Sequence, residues 1–156
     1  MRLRAPTAAV LALIAALAVA VPLAACGGEN GASKDDYRED ARAIADKLKA
    51  DLGTAQQRLN SQDEKQIVNG LNQFRASLAE AKSKLGALEP PEDFQDVHDR
   101  LVAELNTLEQ DVRAVADSFA AKDQARVQRA VQKMQADVQD LQQAGNEFDK
   151  KVGTGN

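Results

Sequence analysis

The sequence predicts an all-α protein, an antiparallel up-down-up-down four-helix bundle that follows an N-terminal segment of different character. Apolar residues recur at alternating steps of three and four in four consecutive stretches, which is the spacing of one helical face. Charged residues make up 28% of the chain and aromatic residues only 3%, with no Trp, a composition that favours long amphipathic helices over sheets. The breaks between the stretches are short, so consecutive helices should be antiparallel neighbours.

The four stretches predict helices at about residues 34–59, 62–88, 91–120 and 123–152, within one bundle domain that spans residues 34–152. At about 1.5 Å per residue each helix is roughly 40 Å long, so the four match in length. The apolar stripes run from Tyr37 to Leu59, from Ile67 to Leu88, from Phe94 to Phe119 and from Val127 to Val152. Residues 153–156 are expected to form a disordered tail.

Residues typical of helix starts occupy the breaks. Two Ser residues each have a carboxylate three positions later, which fits a capping box. A Pro pair stops the second helix and pre-sets φ at the start of the third, and an Asp is placed to cap the fourth helix. These residues are Ser33 with Asp36, Ser61 with Glu64, Pro90 with Pro91, and Asp123.

The two predicted helical hairpins resemble each other at an offset of 60 residues. Leu48 and Leu59 align with Leu108 and Phe119, and further apolar positions align between them. A duplicated hairpin explains this alignment. Two hairpins of equal length with heptad spacing would also align in this way, so the sequence leaves both explanations open.

Residues 1–25 have the layout of a secretory signal peptide, with a basic start followed by an apolar stretch from about Ala8 to Ala20. That stretch is shorter than the roughly 20 apolar residues of a membrane-spanning helix. It ends in Leu23-Ala24-Ala25-Cys26-Gly27, which resembles the lipobox of bacterial prelipoproteins. The resemblance covers about the first 27 residues.

The resemblance implies that the Cys26 thiol receives a diacylglycerol and that cleavage before Cys26 makes it the first residue of the mature protein. The overall layout also resembles small helical-bundle lipoproteins of the cell envelope. Lipidated Cys26 and a flexible Gly-rich tether would then occupy residues 26–33. We expect a protein held by fatty acyl groups such as palmitate to the outer leaflet of a cell membrane, or to an outer membrane.

Charge argues against a nucleic-acid partner. The full chain has a formal net charge of −4, and removal of Arg2 and Arg4 with the signal peptide leaves 18 basic against 24 acidic residues, or −6. Nucleic-acid binding depends on a basic patch that neutralises phosphates, and the sequence has no such patch.

The single His of the chain, His98, lies on the apolar stripe of the third helix. Short turns place it level with three small residues, Ala41, Ala81 and Gly145, so the ring has room. The simpler interpretation is a neutral core histidine hydrogen-bonded to a backbone carbonyl or to Tyr37. The functional alternative is a small ligand pocket that these five residues line. By the same turn geometry Tyr37 should cluster with two Phe residues, Phe94 and Phe148, at the end that follows the tether.

No metal or cofactor is expected. Covalent haem requires a Cys-x-x-Cys-His motif that the chain lacks. An axial His98–Met134 pair would be about 16 Å apart along the bundle, too far for one iron. Di-iron and zinc sites need further His or Cys residues. Paired carboxylates at helix starts complement the helix dipole instead of forming an acid–base pair, so no catalytic residue is predicted.

Two functional hypotheses remain from the sequence. The first is a non-enzymatic, membrane-tethered interaction or scaffold module whose helical surface contacts another envelope protein. The second is a carrier of a small apolar ligand with its pocket at the His98 layer. An exposed apolar patch would favour the first, and an open cavity beside His98 would favour the second.

Overall fold

The computed structural model describes the backbone of residues 33–153 and the side chains of residues 33–151. Within this range the chain forms four long helices and one short 3₁₀ turn, and it contains no strand. The helices are α1 (Lys34–Leu59), α2 (Glu64–Leu85), α3 (Gln95–Ala120) and α4 (Gln124–Gly153), with the 3₁₀ turn at Glu92–Phe94. The predicted all-α four-helix bundle is confirmed. The predicted signal peptide, residues 26–32 of the tether including Cys26, and residues 154–156 of the predicted tail lie outside the described residues.

Helices α1 and α4 begin at the capping residues that the sequence indicates. The Asp36 backbone N–H donates to Ser33 Oγ at 3.1 Å, and the Ser33 N–H donates to the Asp36 carboxylate at 3.2 Å, which completes a capping box. At α4 the Arg126 N–H donates to Asp123 Oδ1 at 2.9 Å. Each cap satisfies backbone donors that have no partner within the helix.

Helix α2 begins later and ends earlier than residues 62–88. Asp63 is its N-cap, because its carboxylate accepts the Lys65 N–H at 2.9 Å. Ser61, which we expected in a capping box with Glu64, instead accepts the Asp63 N–H and shapes the turn before the helix. The helix ends at Leu85, and Gly86 is its C-cap.

Helix α3 starts at Gln95 instead of residue 91. Pro91 sits at the start of the 3₁₀ turn with φ −52°, and its carbonyl accepts the Phe94 N–H at 2.8 Å. Pro91 therefore pre-sets one tight 3₁₀ turn, and the α-helical hydrogen-bond pattern is established only after it. The prediction that the Pro pair stops α2 was wrong, because α2 already ends at Leu85 with Gly86 as its C-cap.

Consecutive helices are the closest neighbours, so the order around the bundle is α1, α2, α3, α4. Their inner faces form one aliphatic core along the bundle axis, with Leu78 and Leu108 completely buried near its middle. Burial of one such side chain stabilises the fold by about 1.5–3 kcal/mol. Two buried hydroxyls, Ser77 and Ser118, donate to backbone carbonyls one turn earlier, so they enter the core without an unpaired donor.

Two backbone features distinguish the end of the bundle opposite Ser33. Gly70 lies where α2 crosses the end of α1, and a Cβ at this position would be 3.1 Å from side-chain atoms of both Arg58 and Leu59. Helices can therefore approach more closely here than an Ala would permit. Lys122, in the turn between α3 and α4, has φ +56°, in the left-handed region that β-carbons disfavour.

Ion pairs link each pair of sequential helices across the surface. They join α1 to α2, α2 to α3 and α3 to α4 through Lys47–Glu80, Lys82–Glu109 and Arg100–Glu147. Each such surface pair contributes at most about 1 kcal/mol. The core, and not these pairs, therefore holds the bundle together.

Candidate functional site

Three aromatic rings close the end of the bundle from which Ser33 leads back to the N-terminal segment. Tyr37 lies at the centre, with ring-centroid distances of 5.9 Å to Phe94 and 6.0 Å to Phe148. Tyr37 and Phe94 are buried with Val97, and Phe148 is partly buried against them. We call this group the aromatic end cluster. It comes from the first turn of α1, the 3₁₀ turn, the start of α3 and the last turns of α4. The grouping of its three aromatic residues was predicted from the sequence, and the part played by Val97 was not.

His98 lies directly beneath the aromatic end cluster and is hydrogen-bonded to it. The Tyr37 hydroxyl and His98 Nδ1 are 2.8 Å apart, and the two side chains are 2% and 4% exposed. Burial lowers the pKa of His98 and outweighs the attraction of nearby Asp99. Burial, with Asp99 adding to it, raises the pKa of Tyr37 to about 12. Both groups are therefore neutral near pH 7, and each satisfies the other in the core.

The small residues predicted to surround His98 have different environments. Ala41 and Ala81 are buried in the core. Gly145 is partly exposed, and a Cβ placed on it would meet no atom within 4 Å. The buried residue at this level of α4 is Ala144. A straight helix drifts relative to a strict seven-residue repeat, so the face of α4 that meets the core moves from position 145 to position 144.

A shallow depression lies on the surface between α1 and α2. Its floor is apolar and its rim carries salt-bridged side chains; the lining residues are Ile44, Lys47, Leu48, Asp51, Ser77, Glu80, Ala81 and Lys84. Of the five residues expected around a His98 pocket, only Ala81 borders it. The depression therefore does not open toward the Tyr37–His98 pair.

A buried acidic residue that the sequence reading did not identify lies midway along the α3–α4 contact. Asp111 is 5% exposed; its Oδ1 atom accepts a hydrogen bond from Lys133 Nζ at 2.8 Å, and its Oδ2 atom is buried without a partner. Lys133 also pairs with Asp137. Burial first, and Asp137 second, raise the pKa of Asp111 to about 6. Its position, three residues after Leu108 and four before Val115, was the available signal.

Residues 33–153 contain no helix that is long and apolar enough to cross a membrane. In the same range, no three His, Cys, Asp or Glu side chains are grouped so that they could hold a metal ion. Many of the other ionisable groups of these residues form ion pairs along the helix surfaces. No protein-family model, curated protein or solved structure matches the chain.

Proposed function

We propose that the chain is a lipid-anchored protein of the bacterial cell envelope whose bundle acts, without catalysis, as an interaction or scaffold module. The observation that carries the proposal is the sequence Leu23-Ala24-Ala25-Cys26-Gly27 after a basic and then apolar N-terminus. Diacylation of Cys26 would supply two acyl chains, and two chains are needed for stable anchoring because one alone binds a membrane only marginally.

The fold is compatible with a bundle held near a membrane by its N-terminus. Helix α1 starts at Lys34, so the segment between Cys26 and the first helix is short. A flexible Gly-rich segment of this length spans about 15 Å root-mean-square. The aromatic end cluster would then be at the base of the bundle. The turns at residues 60–63 and 121–123 would be at the opposite end, about 40 Å away at 1.5 Å per residue.

A surface role is supported by where the polar groups lie. The buried histidine is satisfied by Tyr37 inside the core. A catalytic site requires titratable groups that converge on a space where a substrate fits. The groups on the described surface are spread along the helix faces, where they suit contacts with another protein.

A carrier of a small apolar ligand is the alternative from the sequence, and it receives less support. The side chains of Tyr37 and His98 bond to each other, and the depression between α1 and α2 lies apart from them. A thermal-shift screen with apolar metabolites separates the two proposals. A saturable rise in Tm that is lost in Ala81→Trp would favour the carrier.

Metabolic labelling tests the lipid anchor. The full chain is expressed in a bacterial host supplied with radiolabelled palmitate, beside Cys26→Ser and, as a matched control, Gly28→Ser. We expect label and membrane association for the unchanged chain and for the control. Cys26→Ser should carry no label and should keep residues 1–25, because cleavage follows lipidation in the lipoprotein pathway.

Mass spectrometry of the purified chain gives the decisive measurement for this anchor. A mature N-terminus at any residue other than Cys26, or a Cys26 without acyl groups, would refute it. Crosslinking in intact cells, followed by purification from detergent-solubilised membranes, tests the interaction role. Recovery of one reproducible envelope protein supports it, and recovery of none in repeated experiments counts against it.

A further inference from the structure

The inference concerns the cluster of buried Asp111, partly buried Asp137 and exposed Lys133 at the middle of the α3–α4 contact. It does not depend on the lipid anchor or on the interaction role. Lys133 Nζ bridges the two carboxyl groups, and its own side chain is mostly exposed, whereas Asp111 is sealed in the interface. In this cluster the ammonium group of Lys133 on α4 lies between the carboxyl group of Asp111 on α3 and that of Asp137 on α4.

The hydrogen bonds of Asp111 are incomplete when it is ionised. Lys133 supplies a donor to Oδ1, but Oδ2 is buried and no donor reaches it. A buried carboxylate oxygen without a donor destabilises the native state. Asp137 Oδ2 accepts from the same Lys133 Nζ at 2.5 Å, so the two carboxyl groups meet at one ammonium group. Two ionised carboxylates only accept, so they cannot bond to each other.

One added proton completes this arrangement. When a proton binds Asp111, a new O–H bond forms and the carboxyl group can donate to the Asp137 carboxylate. The cluster then holds one carboxylic acid, one carboxylate and one ammonium group, which is neutral overall. Without that proton it carries two carboxylates and one ammonium group, with Asp111 itself buried, and repulsion between the carboxylates acts across the helix interface.

Other charged residues near Asp111 on α3 form ion pairs with residues outside the cluster. On α3, Glu109 pairs with Lys82 of α2, and Arg113 pairs with Asp117 along the exposed face. On α4, the charged groups that face Asp111 among residues 33–151 are Lys133 and Asp137. The protonation of Asp111 is therefore governed by these two residues and by burial.

We propose that Asp111 and Asp137 share one proton in the native bundle and that this proton acts as a pH-sensitive clamp between α3 and α4, closed in mildly acidic conditions and loosened as the pH rises. The pKa values are consistent with this role. The pKa of Asp111 is raised to about 6, and the hydrogen bond with Asp111 lowers the pKa of Asp137.

The direction of the pH effect follows from proton uptake. A raised native pKa means that the folded chain binds more protons than the unfolded chain at pH values between the two pKa values. The stabilisation is therefore complete below about pH 4, the ordinary pKa of Asp, and it is lost as the pH rises through about 6. Ordinary surface carboxylates that form ion pairs act in the opposite direction.

Carbon-13 NMR of the Asp side chains in the full chain, held in mild detergent, tests the shared proton. We expect the Asp111 carboxyl carbon to titrate near pH 6. Asp137→Asn removes the partner that raises this pKa, so the midpoint should move to lower pH. An Asp111 midpoint below about pH 4.5, close to the value of a free Asp, or a midpoint that Asp137→Asn leaves unchanged, would overturn the proposal.

Thermal unfolding tests the clamp. Asp111→Asn is a neutral isostere with a donor for Asp137, so it mimics the protonated state at every pH. At about pH 8 we expect its Tm to exceed that of the unchanged chain, at about pH 5 the excess should be smaller, and below about pH 4 the two should agree. Glu109→Gln, the matched control on α3, should keep the pH dependence of the unchanged chain. An Asp111→Asn variant with a lower Tm than the unchanged chain at both pH values would refute the clamp.

Hydrogen exchange shows whether the loosening is local. After correction for the intrinsic effect of pH, amides near residues 133–137 should lose protection between about pH 5 and about pH 8. Amides in the α1–α2 hairpin should not. In Asp111→Asn the α4 amides should stay protected. Equal loss in both hairpins would mean that the cluster sets global stability only, and the clamp would be rejected.

Discussion

Tyr37 and His98 are 61 positions apart in the chain, yet the Tyr37 hydroxyl oxygen and His98 Nδ1 are 2.8 Å apart. One residue is in the first turn of α1 and the other is in the first turn of α3, so their hydrogen bond joins two helices that run in the same direction across the bundle. Whether the hydroxyl or Nδ1 donates the proton of this bond, Tyr37 and His98 satisfy each other's polar atoms in a buried region.

Tyr37→Phe should destabilise the bundle by about 1–2 kcal/mol, because the ring still fills its space while His98 Nδ1 loses its buried partner. Denaturant unfolding of the full chain, followed by circular dichroism, measures this free energy. The double variant Tyr37→Phe with His98→Leu should lose less than the sum of the single variants, since both polar groups are then removed. Strict additivity would show that the hydrogen bond does not couple the two residues.

His98 should reduce stability in acid. Burial lowers its pKa in the native state, so below about pH 6.5 the unfolded chain binds more protons than the folded chain. The contribution of His98 to the free energy of unfolding therefore falls as the pH falls through that value. His98→Gln keeps a hydrogen-bonding side chain but cannot titrate.

The measurement is the difference in unfolding free energy between the unchanged chain and His98→Gln from about pH 8 to about pH 5. Contributions of other groups, including the opposite one of Asp111, cancel in this difference. We expect the advantage of the unchanged chain to shrink in acid. An advantage that is independent of pH would mean that the native and unfolded pKa values of His98 are equal.

Two glycine positions should respond to Ala in opposite directions. At Gly70 the new Cβ would lie 3.1 Å from Arg58 Cβ and from two atoms of Leu59, which is itself buried. We expect Gly70→Ala to destabilise by about 1–2 kcal/mol, because overpacking outweighs the gain in helix propensity. At exposed Gly53 no atom lies within 4 Å, so Gly53→Ala should stabilise by about 0.5–1 kcal/mol. Thermal unfolding of both variants measures the change in Tm. A change of the same sign in both variants would contradict the close approach at Gly70.

Substitution of the N-cap residues should show which of two neighbouring polar residues, Ser61 or Asp63, caps α2. Asp63→Ala removes the carboxylate that accepts the Lys65 N–H and should cost about 1 kcal/mol, as should Ser33→Ala at α1. Ser61→Ala removes only an acceptor in the turn, so its cost should be smaller. Denaturant unfolding of the three variants ranks these costs. A larger loss for Ser61→Ala than for Asp63→Ala would place the cap at Ser61.

The fold and the aromatic end were predictable because short turns fix which residues are level. With connections at 60–63, 86–94 and 121–123, positions at equal distances from the middle of a connection face each other in antiparallel helices. This geometry brings Tyr37 to His98 and gathers Phe94 and Phe148 around it. The four helices could be predicted from the periodic spacing of apolar residues alone, without knowing how the side chains pack.

Helix starts were less predictable where two capping residues compete. Ser61 and Asp63 are both good N-caps, and the choice depends on the path of the turn, which the local sequence does not determine. At α3 the Pro pair indicates a start, but whether the first turn is α or 3₁₀ depends on how Phe94 packs into the end of the bundle.

Positions beside an apolar stripe were the least predictable. A stripe with alternating steps of three and four offers two neighbouring candidates at each turn, and helix rotation decides between them. On α4 the rotation buries Ala144 and leaves Gly145 partly exposed. On α3 it buries Asp111 beside Val112, so a charged residue enters the interface. Only the packing of the whole bundle fixes these rotations.

The chain enters the bundle at Ser33, at the same end where the aromatic end cluster lies. Suppose that the preceding residues are fixed to a surface and that the far turns are held by another molecule. Tension then acts along the axis of α1. To be withdrawn, α1 would have to slide lengthwise past its neighbours, so its buried contacts from Tyr37 to Leu59 would resist together instead of opening one by one.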